Sequence, residues 1–223
     1  MDIHKPKPWH GVREFLKEYL IIVVGVLTAL AGEQAVEWGH RHEEVEQARA
    51  ALNAEVGHDL GLAVRDMRND ACFGRVLLLW EAYASGGPKP PLLAGSFSSL
   101  RSTTWDIAKS GAVANMPLSE RVAFANFYGN VANQDTLIEV QRAFSRRLSG
   151  YARLPKLTSQ EADDLLLDLP GIEGMLRVKV RNYAALIETG RKLGVRPEVV
   201  NDPYSSSVDR LCALAATVKD AGP

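Results

Sequence analysis

The chain has 223 residues, of which 46% are apolar and 24% charged, close to globular averages, which excludes disordered, collagen-like and multi-span membrane classes. Its formal net charge is −1, without the basic excess that nucleic-acid recognition uses, and two cysteines are too few for a disulfide framework or a four-ligand zinc site. Aromatic content of 7% is lean for a sheet-rich core, so composition already points to helices.

The first element is an uncharged run of 14 residues, Tyr19 to Gly32. At 1.5 Å per residue it spans about 21 Å, short of a hydrocarbon core of about 30 Å. Its flanks extend it. Trp9 and Trp38 lie 29 residues apart, about 44 Å along a helix, which matches a bilayer with its headgroups, the depths that indole rings favour. Lys17 can carry its ammonium to the headgroups beside Tyr19. Eight Leu, Ile and Val residues in the run supply roughly −2.4 to −4.8 kcal/mol on the insertion scale. Three readings compete: a buried core helix, a cleaved signal peptide with Ala29-Leu30-Ala31 as its small-x-small site, and an uncleaved anchor. The helix formers Glu33, Gln34, Ala35 and Glu37 continue past Ala31 without a turn and favour the anchor. Four Lys/Arg in residues 1 to 17 against two in 33 to 50 put the N-terminus in the cytoplasm and the remainder outside. In a bacterium that is the periplasm, where Cys72 and Cys212 could pair, with two unpaired buried thiols as the alternative.

Arg13-Glu14-Phe15-Leu16-Lys17-Glu18, Ile21-Ile22-Val23-Val24-Gly25-Val26, Ala29-Leu30, Trp38 and an acidic helix with Leu52, Glu55 and Asp59 make residues 9 to 65 resemble the start of a family of uncharacterised bacterial single-pass membrane proteins. The resemblance implies one N-terminal membrane helix running into a helical extracytoplasmic region. It implies no catalytic residue.

Beyond the anchor, Trp38, Val45, Leu52, Val56, Leu60, Ala63 and Met67 recur as one stripe of a long helix that reaches about Tyr83. Gly39, Gly57 and Gly61 weaken it and suggest a bend near 57 to 61. Seven acids against two bases in residues 33 to 60 repel an anionic lipid surface, as a stalk would. Ser85 to Pro91 is a loop. Thr103-Thr104-Trp105-Asp106 has the form of a capping box, with Asp for the usual Glu, and opens a short helix closed by Ser110-Gly111. From Pro117 the apolar spacing predicts a second long helix to about Leu154. Thr158-Ser159-Gln160-Glu161 is a full capping box for a third, interrupted at Leu169-Pro170-Gly171 and ending at Leu193. After Asn201-Asp202-Pro203 a short helix carries Val208, Leu211, Cys212, Ala215 and Val218.

The expected architecture is all-α: a tip at 1–17, an anchor at 18–38, a stalk and first bundle helix at 39–84, a loop at 85–100, the remaining helices of an antiparallel bundle of four or five at 101–219, and a tail at 220–223.

Chemistry is sparse. His40 and His42 point to different sides of a helix, and His42 with Glu46 would need a third ligand from another helix to bind zinc or copper, whereas solvated stalk residues explain the pair equally well, so no metal is expected. His58 and Asp59 read as surface polar groups. No nucleophile elbow, phosphate loop or dinucleotide glycine pattern is present, so an enzyme and a cofactor are not expected. The segment Arg101, Trp105, Asp106 on an inter-helix rim reads as a helix cap with a packed indole, with ligand contact as the alternative. Gly25 with Ala29, and Thr28 with Gly32, form small-xxx-small pairs that would let two anchors approach. The expectation is a membrane-anchored periplasmic helical module that binds or scaffolds, with a protein partner or a second copy, no nucleic acid and no identified small-molecule ligand. A sensor or metal-binding module is the alternative.

Overall fold

A computed structural model describes residues 11–91, 98–200 and 205–218. Among these the chain forms five α-helices and no strand: α1 Val12–Ala84, α2 Thr103–Ala108, α3 Leu118–Tyr151, α4 Ser159–Lys192 and α5 Ser205–Thr217, with a 3-10 turn at Ala112–Asn115. The protein is all-α. It divides into two compact units, residues 1–47 and 48–223.

Within the first unit, α1 contains an 18-residue window long and apolar enough to cross a membrane, and none of that window is buried. Its aromatic side chains stack along the helix, Phe15 on Tyr19 at 6.4 Å and Trp38 on His42 at 5.6 Å, as four-residue spacing allows.

The second unit is a bundle whose directions can be read from paired residues. Arg49–Glu120, Glu55–Tyr128 and Asp70–Gln141 advance together, so residues 48–84 of α1 run parallel to α3. Arg147–Asp168 and Gln141–Lys179 advance in opposite senses, so α3 and α4 are antiparallel. Loop length explains the difference. Seven residues join α3 to α4 and permit only a turn back, whereas residues 85–117 are long enough to return the chain to its starting end. Glycine makes the exit from α1: Gly86 has φ 91°, and the Gly87 N–H bonds the Ala82 carbonyl at 2.8 Å.

Each long helix presents a row of residues seven apart to the interior. These are Leu52, Asp59, Asp66, Phe73 and Trp80 on α1, Phe127, Gln134, Gln141 and Leu148 on α3, and Leu165, Ile172, Lys179 and Leu186 on α4, all buried. The ends of the rows are apolar and the middles polar. One apolar cluster gathers Phe73, Trp80, Phe144, Leu148, Leu165, Leu169, Ile172 and Leu211.

Two local expectations are corrected, at Pro170 and at Thr103–Asp106. Helix α1 is continuous through Gly57 and Gly61, and these glycines admit the segment 195–200: the Glu198 N–H bonds the Gly57 carbonyl at 2.8 Å, and a Cβ at Gly61 would collide with the Glu198 carbonyl. Pro170 does not break α4, which is continuous from Ser159 to Lys192. Pro170 sits on the exposed face, where its missing N–H costs the Leu166 carbonyl one partner, while buried Leu165, Leu169 and Ile172 hold both sides of the helix to the core. The Thr158–Glu161 box is complete, with Thr158 accepting from the Glu161 N–H and the Glu161 carboxylate accepting from the Thr158 N–H at 2.8 Å. The box at Thr103–Asp106 does not form: Ser102 is the N-cap, and its side chain caps no backbone group.

Candidate functional site

The rim segment replaces that missing local cap with carboxylates from α1 and α3. Asp59 accepts the Arg101 N–H with both oxygens, at 3.0 and 3.1 Å, and Glu55, one turn earlier, accepts the Thr104 N–H at 3.0 Å and the Tyr128 hydroxyl at 2.8 Å. Asp135 accepts the Leu100 N–H at 3.2 Å, and Arg65 donates to the Ser98 hydroxyl at 2.6 Å. Trp105 stacks on Tyr128 with ring centroids 5.1 Å apart. Asp106 faces outward and is held locally, accepting from Ser102 and Lys109. Arg101, Trp105 and Asp106 thus have different partners: the Arg101 N–H is held by Asp59, the Trp105 ring by Tyr128, and the Asp106 carboxylate by Ser102 and Lys109.

The clasp changes the chemistry of its carboxylates. Asp59, expected at the surface, is 0% exposed. Burial pushes its carboxyl up to about 7; the Arg101 N–H opposes that shift and the Glu55 charge adds to it. Burial also raises Asp135. His58 is half-buried and lies 3.7 Å from Glu198, and burial with the nearby Arg101 charge lowers its pKa.

The polar layer between α1, α3 and α4 went unread in the sequence. Lys179 Nζ lies 2.8 Å from Asp70 Oδ2 and donates to Gln141 Oε1, while Gln141 Nε2 donates to Asp70 Oδ1 at 3.0 Å. The Lys179 ammonium also lies 5.7 Å from the centroid of the Tyr183 ring. Burial raises Asp66, opposed by Arg65 beside it, and raises the Tyr183 hydroxyl. The Gln134 amide and the Tyr183 hydroxyl are buried in the same layer and interact with each other. A signal was present: Asp59 and Asp66, and Gln134 and Gln141, repeat at seven residues in phase with Leu52 and Phe127. Asp70, Gln141 and Lys179 are bonded to one another in the interior of the bundle.

The surface hollows lined by described residues include two on the bundle. One, about 430 Å³, lies between α1, the 195–200 segment and α5, with Val64, Arg68, Val199 and Asp209 in its walls. The other, about 130 Å³, lies beside Pro170. No group of three or more metal-ligating side chains gathers among the described residues.

Cys72 on α1 and Cys212 on α5 form a disulfide with Cα atoms 5.0 Å apart, closing a sequence separation of 140 residues. A loop of that length corresponds to about 5 kcal/mol in the chain-entropy account. It fastens a 13-residue helix, too short to stand alone.

Of the anchor residues, Lys17, Tyr19 and Trp38 are exposed, and Trp9 lies outside the described residues. Gly25, Ala29 and Gly32 are exposed, with nothing within 4 Å of a Cβ placed at either glycine. No family model matches the chain, and neither a curated protein nor a solved structure matches it. The resemblance of residues 9 to 65 accordingly stands on those residues alone.

Proposed function

We propose that this chain is a single-pass membrane protein of the bacterial inner membrane, with its N-terminus in the cytoplasm and its helical bundle in the periplasm. There it binds or scaffolds other envelope components without covalent chemistry. The observation that carries this reading is the 18-residue apolar window of α1 with none of its surface buried. A core helix with that composition would be covered by its own fold, and a bilayer is the medium that suits one left uncovered. Two further features support the placement. The Cys72–Cys212 disulfide suits an oxidising compartment, and Lys/Arg are concentrated before the apolar run. Binding in place of catalysis is favoured because the polar side chains of the bundle are spent on one another, in the clasp and in the central layer.

The test is a fusion of the full chain at its C-terminus to a phosphatase reporter that folds only outside the cytoplasm, combined with fractionation and the intact mass of the membrane-bound protein. The expected result is high phosphatase activity, sedimentation with membranes through an alkaline wash, and a mass that retains Met1 to Ala31. Inactive reporter overturns the orientation; a soluble chain beginning after Ala31 overturns the anchor.

A further inference from the structure

We propose that the hollow between α1 and α4 beside Pro170 binds a small organic cation, an amine whose apolar body is no larger than one aromatic ring. The proposal deepens the binding reading above by naming a ligand class, and it does not depend on the orientation of the anchor. The hollow measures about 130 Å³, close to the roughly 150 Å³ at which an apolar cavity admits a benzene ring. Buried Leu77 and Leu169 line it, together with Leu78, Leu166 and Pro170. One apolar group of about ring size therefore fits against the leucines.

The polar groups of the wall are acceptors. Its two charged side chains are the carboxylates of Glu81 and Glu173, and no lining side chain carries an N–H or O–H. Pro170 has no N–H to offer the Leu166 carbonyl one turn earlier. A Cβ at Gly74 would lie 3.8 Å from Leu176. In the antiparallel register this sets, Glu173 stands at the level of Leu77 and Glu81 at the level of Leu169. The two carboxylates are then about 6 Å apart along the helix axes, a spacing that one ammonium group can bridge.

The end of α1 adds an independent point. A helix C-terminus carries partial negative charge and favours cations in its last turn. Helix α4 follows the rule with Arg191 and Lys192, whereas the last turn of α1 has no basic residue and contains Glu81. Among the described residues no ion pair or hydrogen bond engages the Glu81 carboxylate. Glu173 has only Arg177, at 3.9 Å and with both side chains more than half exposed, a pair of little strength. An acid at the unfavourable end of a helix, a second acid across the groove and a carbonyl without its helical N–H leave the hollow short of positive charge and of donors. A cation bearing N–H groups supplies both. An anion would be repelled by the carboxylates, and a neutral ring would leave them unused.

The experiment uses the full chain, with its native disulfide, in nanodiscs of zwitterionic lipid. It is titrated with para-fluorophenethylammonium, an alkylamine protonated at pH 7, and followed by the fluorine NMR signal with empty discs subtracted. Saturable binding is expected. The neutral para-fluorophenethyl alcohol is expected to bind at least about fivefold more weakly, and para-fluorophenylacetate to show no saturation. Glu81→Gln is expected to weaken the cation about fivefold, the upper worth of one exposed ion pair, and to leave the alcohol unchanged. Leu166→Trp, at a position 37% exposed, fills the hollow and is expected to abolish binding of the cation while melting temperature and helicity stay as in the parent. No saturable binding of the cation, equal affinity for cation and alcohol, or a cation affinity untouched by either variant would overturn the proposal. Failure of the anchor reading registers separately, in the phosphatase fusion, because this titration does not sense topology.

Discussion

Two stretches of α1 invert the usual relation between polarity and burial. From Tyr19 to Gly32 the helix is apolar and almost wholly exposed; from Glu55 to Asp70 it buries Glu55, Asp59, Asp66, Asn69 and Asp70. The difference lies in what each stretch meets. The exposed apolar stretch is not covered by any described residue of the chain. The buried polar stretch finds its medium inside: backbone N–H groups of the rim segment at Asp59 and Glu55, an ammonium and an amide at Asp70. Burial along one helix therefore follows partners, and side-chain type alone assigns neither half correctly.

The comparison breaks most severely at Lys179. Lys179→Met keeps the length of the side chain and removes the charge, leaving Asp70 and Asp66 as buried acids with one cation fewer. Breaking a buried pair from one side costs about 3 to 5 kcal/mol. The expected result is a melting temperature well below the parent's, followed by circular dichroism of the full chain in detergent. Pairing the change with Asp70→Leu should recover most of the loss, because an apolar replacement of both partners leaves no charge stranded. If the double variant melts no higher than the single one, the layer is held by something other than this pair.

Asp59 tests the other end of the polar half. Its folded pKa of about 7 lies above the ordinary 3.8, so the folded state binds the extra proton and stability falls as pH rises between those values. One proton contributes at most about 1.4 kcal/mol per pH unit, or up to about 4 kcal/mol across the window. Asp66 and Asp135, also raised, slope the same way, and His58, lowered, slopes the opposite way. The decisive quantity is therefore the difference between the parent and Asp59→Asn, whose amide oxygen can still accept the Arg101 N–H. Denaturation midpoints from pH 4 to 8 should fall less steeply with pH in the variant. Parallel curves would mean that Asp59 is charged throughout.

How much of this was legible depended on range. Thr158 and Glu161 bond across three residues, and both halves of their capping box appear in the sequence as they stand in the structure. The stripe Leu52, Val56, Leu60 is likewise a local period, and each member is buried. Glu55 caps Thr104 across 49 residues, which no local pattern contains, so the rim segment looked like a box of its own. Asp59 looked solvated because its type normally is; only its seven-residue spacing from Leu52 and Asp66 placed it on the inward row. Pro170 misled in the same way. Its intrinsic cost to a helix is real, and packing of its neighbours Leu169 and Ile172 in the core outweighs it.

The apolar half is tested by reversing its character at one position. Leu27 is 59% exposed and lies in the middle of the run. Replacing leucine by arginine there changes the insertion balance by about 3 to 4 kcal/mol, against roughly −2.4 to −4.8 kcal/mol from all the Leu, Ile and Val of the run. Leu27→Arg should therefore bring insertion close to balance and shift a large share of the chain from the membrane pellet to the soluble fraction. Val64→Arg, at a position exposed in the polar half, should leave the distribution unchanged. Equal behaviour of the two variants would mean that the exposed apolar stretch does not require a bilayer, and the contrast between the halves of α1 would then need a protein cover in place of lipid.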